Sequence, residues 1–154
     1  MIRIKRTYDA PARGDGRRIL VDRLWPRGIK KEALAADSWM KDVAPSTALR
    51  NWFGHRAERW EEFRRRYRDE LDASPSAWEP ILEAGQRGTV TLLYSARDTL
   101  HNGALALRDY LTERQAQHPT PRPARRPRRA PRNRRSPHDG VRRDQQHTRH
   151  LSRR

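Results

Sequence analysis

Cysteine is absent from this chain of 154 residues, and so is any long apolar segment. The absence of cysteine excludes disulfides and thiolate chemistry, and it is typical of proteins from a reducing compartment. No apolar run approaches the ~20 residues that a membrane-spanning helix needs, and the first residues lack the apolar region of a signal peptide. We therefore expect a cytoplasmic protein with no membrane partner.

Aromatic residues and charge divide the chain near Glu113. All five tryptophans, four tyrosines and two phenylalanines precede that position. Of the 35 basic and 19 acidic residues, 14 arginines and two aspartates lie from Arg114 onward, which gives that part a net charge of +12 and the earlier part +4. A segment so poor in apolar residues cannot bury enough surface to offset its chain entropy. The sequence predicts one domain over residues 1–113 and a disordered arginine- and proline-rich tail over residues 114–154.

Short apolar segments that resemble strands alternate with helical periodicity along the predicted domain. The predicted strands cover residues 2–6, 18–21 and 89–94. The predicted helices cover residues 47–53 after the cap residue Ser46, 56–71, 77–86 with Pro80 in the first turn, and 102–112.

This alternation predicts an α/β fold, with a small sheet that contains at least one parallel strand pair and is covered by helices. The runs at residues 18–22 and 90–94 lack the apolar–polar alternation of a half-exposed antiparallel sheet. We therefore expect these two strands to lie side by side and parallel, and the disordered tail to follow the fold.

Two polar clusters follow the predicted strands at their carboxyl ends, where open α/β sheets bind ligands. Arginine forks and free helix amides at such an edge suit a phosphate or a carboxylate, and an aspartate beside them suits proton transfer. If the strands are parallel neighbours, both clusters border one cleft. The candidate catalytic residues are Asp22, Asp98 and His101, and the candidate ligand-binding residues are Arg23, Arg27, Arg97 and Asn102.

Each candidate also has a structural interpretation. Asp22 could form an ion pair with Arg23 or Arg27 that ties the loop together, and Asp98 or Asn102 could cap the following helix. His55 fits a loop residue as well as a residue that lines the site. No nucleotide-binding glycine motif, no nucleophile elbow and no metal-ligand spacing is present, so we expect neither a cofactor nor a metal site.

The motifs in their order resemble the YeaO-like family, domain of unknown function 488. The resemblance covers nearly all of residues 1–111, and its most specific part is the string Asp-Arg-Leu-Trp-Pro-Arg-Gly at residues 22–28. It implies a small cytoplasmic bacterial α/β protein with no established activity and no assigned catalytic residues. The segments that carry it are residues 21–28, 44–46, 49–50 and 52–53, then Trp60, Phe63, Tyr67, Glu70 and Leu71, and finally residues 91–94 with Asp98, His101 and Asn102.

Two functional hypotheses remain open at this point. In the first, the domain binds an anionic small molecule such as a nucleotide or a phosphorylated metabolite, with or without turnover. In the second, it is a non-enzymatic protein that associates with nucleic acid. The tail, whether it is a selected feature or a frameshift-like extension, carries enough charge to bind nucleic acid non-specifically. Deletion of residues 114–154 would separate the hypotheses. Small-molecule binding should survive it under the first, whereas under the second the affinity for nucleic acid should either collapse or reveal a site on the domain.

Overall fold

The structure, a computed structural model, describes residues 1–117, and the predicted tail from His118 onward lies outside the described residues. No helix in this part of the chain is long and apolar enough to cross a membrane. The strands are β1 (Ile2–Arg6), β2 (Arg17–Leu20), β3 (Ser38–Trp39) and β4 (Val90–Tyr94). The helices are α1 (Lys31–Leu34), α2 (Thr47–Phe53), α3 (Trp60–Ala73), α4 (Pro75–Arg87) and α5 (Gly103–Gln117).

The four strands form one sheet in the order β1-β4-β2-β3, and every neighbouring pair is parallel. β4 is hydrogen-bonded to both β1 and β2, and all five of its residues are buried. Leu20 of β2 is in register with Leu93 of β4. Both strands therefore end at the same edge of the sheet. The predicted α/β class and the predicted parallel pair are confirmed.

Helices cover one face of the sheet with a single apolar core. Ile19 and Leu92 point into this core from the strands, and the α3 stripe of Phe63, Tyr67 and Leu71 packs among them. The hydroxyl of Tyr67 donates a hydrogen bond of 2.5 Å to the carbonyl of Val43, so that the buried phenol has a partner. The predicted periodicity of α3 is thereby confirmed.

The opposite face has a smaller apolar cluster and a buried charge network. Arg18 forms an ion pair with Asp15, and its Nη2 donates 2.8 Å to the carbonyl of Leu34. Lys5 approaches the same carboxylate at 3.1 Å. Burial raises the pKa of Asp15, but hydrogen bonds from Ala12 N–H, Lys5 and Arg18 outweigh burial and leave the pKa below its ordinary value. A fixed carboxylate thus joins β1 and β2 on the face without long helices.

Several boundaries differ from the sequence predictions, and three helix ends show why. α5 extends to Gln117, five residues beyond the predicted helix end at residue 112, because Arg114 Nη2 contacts Asp72 at 2.5 Å and the Tyr110 hydroxyl at 2.7 Å. α4 starts at Pro75, whose missing N–H is not needed at a helix start, and so Pro80 lies inside the helix and not in its first turn. α3 starts at Trp60, after a short 3-10 turn.

We expect Asp15→Asn to destabilise the domain by about 3 kcal/mol at pH 7, because it leaves two buried or half-buried cations without their carboxylate. Since the pKa of Asp15 is lowered in the folded state, its contribution is present above the unfolded pKa and is lost as the pH falls through the folded pKa. Urea unfolding at pH 7 and in an acid series measures both effects.

Asp69→Asn is the matched control, since Asp69 is exposed on α3 and makes no ion pair within residues 1–117. An Asp15→Asn variant as stable as this control at pH 7 would contradict the role assigned to the network.

Candidate functional site

A cavity of about 880 Å³ opens at the edge of the sheet where β2 and β4 end. The loop after β2 and the loop after β4 form two of its walls, and the residues around the end of α2 and the start of α5 form the others. Its apolar surface comes from side chains such as Leu24, Pro26 and Phe53. The position is the one at which parallel sheets generally bind ligands.

The structure brings six of the seven candidate residues onto this one cavity, and the seventh lies next to it. His101 does not line the cavity, but its Nδ1 lies 2.9 Å from Oδ2 of Asp98 and its ring contacts the edge of Trp60. The candidates that line it are Asp22, Arg23, Arg27, Arg97, Asp98 and Asn102.

Asp22 joins the two loops that follow the strands. Its Oδ2 accepts a hydrogen bond of 2.9 Å from the backbone N–H of Ser95, and its own carbonyl accepts one of 2.7 Å from Trp39 Nε1. Burial raises the pKa of Asp22, and the hydrogen bonds from Ser95 and the charge of Arg50 offset only part of this increase. The expected ion pair with Arg23 or Arg27 is not formed. Asp22 is therefore a half-buried carboxyl group that borders the cavity and forms no ion pair within residues 1–117.

The arginines around the cavity fall into two groups. Nη2 of Arg23 donates to the carbonyls of Ala44 and Pro45, both at 3.3 Å, and so this guanidinium holds the segment before α2. Arg27, Arg50 and Arg97 are exposed. Within residues 1–117, none of these three side chains donates a hydrogen bond or forms an ion pair. Their guanidinium groups are therefore available to an anion in the cavity.

The loop before α5 is stabilised by its own polar side chains. Oδ1 of Asp98 accepts hydrogen bonds from the backbone N–H groups of Leu100 at 2.9 Å and His101 at 3.1 Å, and these bonds together with the His101 ring lower the pKa of Asp98. Oδ1 of Asn102 accepts a hydrogen bond of 2.8 Å from the N–H of Leu105, and Asn102 therefore caps the start of α5. The capping interpretation therefore describes Asn102, whereas Asp98 stabilises the loop before α5 and does not cap the helix.

Tyr8, Arg50 and His55 are among the other residues that line the cavity. Tyr8 and Arg50 were not among the predicted site residues, because nothing in the sequence shows that the start of the chain and the middle of α2 reach the same edge. The hydroxyl of Tyr8 donates a hydrogen bond of 3.3 Å to the carbonyl of Arg27. This bond connects the loop after β1 to the loop after β2. The signal that could have found Arg50 is its place one turn after the cap residue Ser46.

Among residues 1–117, no group of three or more histidine, cysteine, aspartate or glutamate side chains is placed to hold a metal ion. The arginine side chains at the cavity carry positive charge and hydrogen-bond donors of the kind that bind phosphate or carboxylate groups.

Comparison with known proteins identifies the family. The model of the "Inactive DUF488-N3 subclade" matches residues 1–129. The chain belongs to the DUF488 family. This DUF488 chain is also 46% identical, over 110 residues, to the uncharacterized protein YeaO of Escherichia coli strain K12, with 71% of this chain and 96% of the relative covered.

Uncharacterized mycobacterial relatives are similar over nearly the same length of the chain. Rv3073c of Mycobacterium tuberculosis strain H37Rv and Mb3100c of Mycobacterium bovis are each 39% identical over 113 residues, with 73% of this DUF488 chain and 95% of each relative covered. No solved structure matches the chain. The resemblance to the YeaO-like family is confirmed, and the family is one of unknown function.

We expect Asp22→Asn and Asp98→Asn to change stability in opposite directions at pH 7. Because the pKa of Asp22 is raised in the folded state, its ionisation opposes folding, and the amide should increase the free energy of unfolding. Because the pKa of Asp98 is lowered, its charge supports folding, and the amide should decrease that free energy. Urea unfolding from pH 7 down to pH 3 measures both differences.

Each variant serves as the control for the other, since both replace one carboxyl group at the same cavity. The Asp22 difference should begin to shrink as the pH falls through the raised folded-state pKa and be lost below the ordinary value of 3.8. The Asp98 difference should begin to shrink only near 3.8 and be lost as the pH falls through the lowered folded-state pKa. Destabilisation by Asp22→Asn at pH 7 would show that Asp22 acts as a stabilising charge.

Proposed function

We propose that this DUF488 protein binds an anionic small molecule, a nucleotide or a phosphorylated metabolite, in the cavity at the sheet edge. Arg27 and Arg97 are the proposed anion-binding residues, and Arg50 contributes a third guanidinium. The observation that carries the proposal is that these three exposed arginines line one cavity and none has a partner within residues 1–117.

Charge and size both favour such a ligand. Arginine binds phosphate or carboxylate through two parallel hydrogen bonds, so that two arginines from different loops can hold one anionic group. A volume of about 880 Å³ lies within the range of small-molecule sites and exceeds what a bare phosphate ion would fill. Apolar side chains such as Leu24 and Phe53 supply the rest of the wall. The ligand is thus expected to combine an anionic group with a larger body.

Proton transfer by Asp22 is a second candidate function, and the raised pKa of this carboxyl group favours it. Asp98 and His101 fit catalysis less well, because the carboxylate holds the backbone of its own loop and the histidine lies outside the cavity lining. Asn102 contributes to the site by capping the start of α5 at the cavity wall. Since the matching family model is described as inactive, we favour binding without turnover.

Arg27→Ala and Arg97→Ala should each leave the unfolding temperature nearly unchanged, because exposed side chains without partners change stability by no more than about 0.5 kcal/mol. Each should abolish ligand-induced stabilisation, which for a ligand at 100 times its Kd is about 2.7 kcal/mol. A thermal-shift screen of the full chain against 5′-nucleotides and sugar phosphates, repeated on both variants, measures this.

Arg87→Ala is the matched control, since Arg87 ends α4, is exposed and does not line the cavity. It removes the same charge and should keep the full thermal shift. If Arg27→Ala and Arg97→Ala unfold the protein, the cluster is scaffold and the proposal is wrong. If the shift survives in both variants, the anion binds elsewhere in this basic chain, and association with nucleic acid becomes the better hypothesis.

A further inference from the structure

We infer that the ligand is a nucleotide and not an aliphatic phosphorylated metabolite, with its base held against Tyr8, Leu24 and His55 at the opening of the cavity. This inference rests on the proposed function, because it assigns the part of the ligand that lies beyond the anionic group. It draws on the exposed apolar and aromatic side chains of the cavity and on one unusual backbone conformation.

Tyr8 and Leu24 are large apolar side chains that line the cavity and yet remain exposed, at 51% and 66% of their surface. Clustered exposed apolar side chains in a concave site commonly mark the surface that a ligand covers. The guanidinium of Arg6 lies 5.2 Å from the centre of the Tyr8 ring, and the Tyr8 hydroxyl is tied to the carbonyl of Arg27. The ring is therefore held in place before any ligand arrives, with half of its surface still open.

His55 lines the same cavity in a conformation that is uncommon for a residue with a side chain. Its φ is +57°, directly after Gly54 at +52°, so that two successive residues are left-handed. Left-handed backbone at a non-glycine residue costs free energy and is found preferentially at functional sites. The imidazole is exposed and makes no hydrogen bond within residues 1–117, and its ring lies 6.2 Å from that of Phe53. Apart from this contact with Phe53, the imidazole remains accessible from the cavity.

These side chains complement the arginines of the same cavity. Arg27 and Arg97 offer charge, whereas Tyr8 and His55 offer flat rings and Leu24 offers an apolar surface. A nucleotide has the matching division into a phosphate and a planar base, and bases stack on aromatic side chains regardless of their sequence. A sugar phosphate has no planar group to cover the exposed rings.

The experiment compares the dissociation constants of the four ribonucleoside 5′-monophosphates with that of ribose 5-phosphate, by calorimetry on the full chain. All five probes carry the same phosphate, so that binding to basic residues elsewhere in the chain affects them equally. At least one nucleotide should bind about tenfold tighter than ribose 5-phosphate or better, in line with the contribution of one stacked base.

Two variants assign this difference to the proposed residues. Tyr8→Ala and His55→Asn should each reduce the preference for the nucleotide. His55→Asn keeps the bond between the Tyr8 hydroxyl and the Arg27 carbonyl, and it should leave the affinity for ribose 5-phosphate unchanged. Asparagine tolerates left-handed backbone, so that His55→Asn removes the ring and keeps the loop. Ala35→Asn is the matched control, because Ala35 is also left-handed, with φ of +49°, and does not line the cavity. It should leave the preference unchanged.

The outcomes separate this inference from the proposed function. Equal affinities for nucleotides and ribose 5-phosphate, both lost in Arg27→Ala, would overturn the nucleotide inference and keep the anion site. Affinities that Arg27→Ala and Arg97→Ala leave unchanged would overturn both. A nucleotide preference that persists in Tyr8→Ala and in His55→Asn would overturn the placement of the base at the cavity opening.

Discussion

The parallel pairing of β2 with β4 determines where this protein can have a site. Leu20 and Leu93 are in register. The last backbone hydrogen bond between the two strands runs from the N–H of Val21 to the carbonyl of Leu93, at 3.2 Å. One step further, the N–H of Ser95 bonds to the side chain of Asp22. The carboxyl group thus continues the ladder beyond the strands, which buries it and raises its pKa. The same geometry brings both polar loops to one edge.

The two faces of the sheet are stabilised in different ways. Helices α2 to α5 bury most of the apolar core on one face, whereas the other face has only Leu20, Leu34 and Leu93 as its fully buried apolar cluster. On that thinner face the ion pair between Asp15 and Arg18 connects the start of β2 to the carbonyl of Leu34. Electrostatics therefore replaces part of the missing apolar burial, far from the edge that carries the cavity.

Those parts of the fold that depend on local sequence were predictable. Short-range spacing determines the cap residue Ser46, whose Oγ accepts a hydrogen bond of 3.1 Å from Leu49 N–H, and the apolar stripe of α3. The buried character of β4 follows from its composition. The end of α5 was not predictable, because Arg114 finds its partner Asp72 on another helix. Periodicity predicts which face of a helix is buried, but it does not predict which residue of another element contacts the last turn.

The position of the candidate site could be predicted from the sequence, but the role of each residue in it could not. Strand ends and loop composition drew attention to Asp22, Arg27 and Arg97, which do line one cavity. Nothing in the sequence distinguished Arg23 from Arg27. The Arg23 guanidinium donates hydrogen bonds to backbone carbonyls before α2, whereas the Arg27 guanidinium makes no hydrogen bond or ion pair within residues 1–117. That distinction depends on which acceptors lie within reach of each guanidinium after folding.

Among the described residues, some arginines form ion pairs that stabilise the fold, and others line the cavity without an ion-pair partner. On α3 and α5 arginines neutralise nearby carboxylates, as Arg66 does with Glu62 and Arg68 with Glu113. Exposed arginines without partners also occur away from the cavity, and Arg87 is one of them, so a free guanidinium alone indicates nothing. Only around the cavity do several of them converge beside a carboxyl group whose ionisation opposes folding. A fold retains such unfavourable electrostatics most readily where a ligand compensates for them, which is why the cavity, and not the basic surface as a whole, is the better place to look for function.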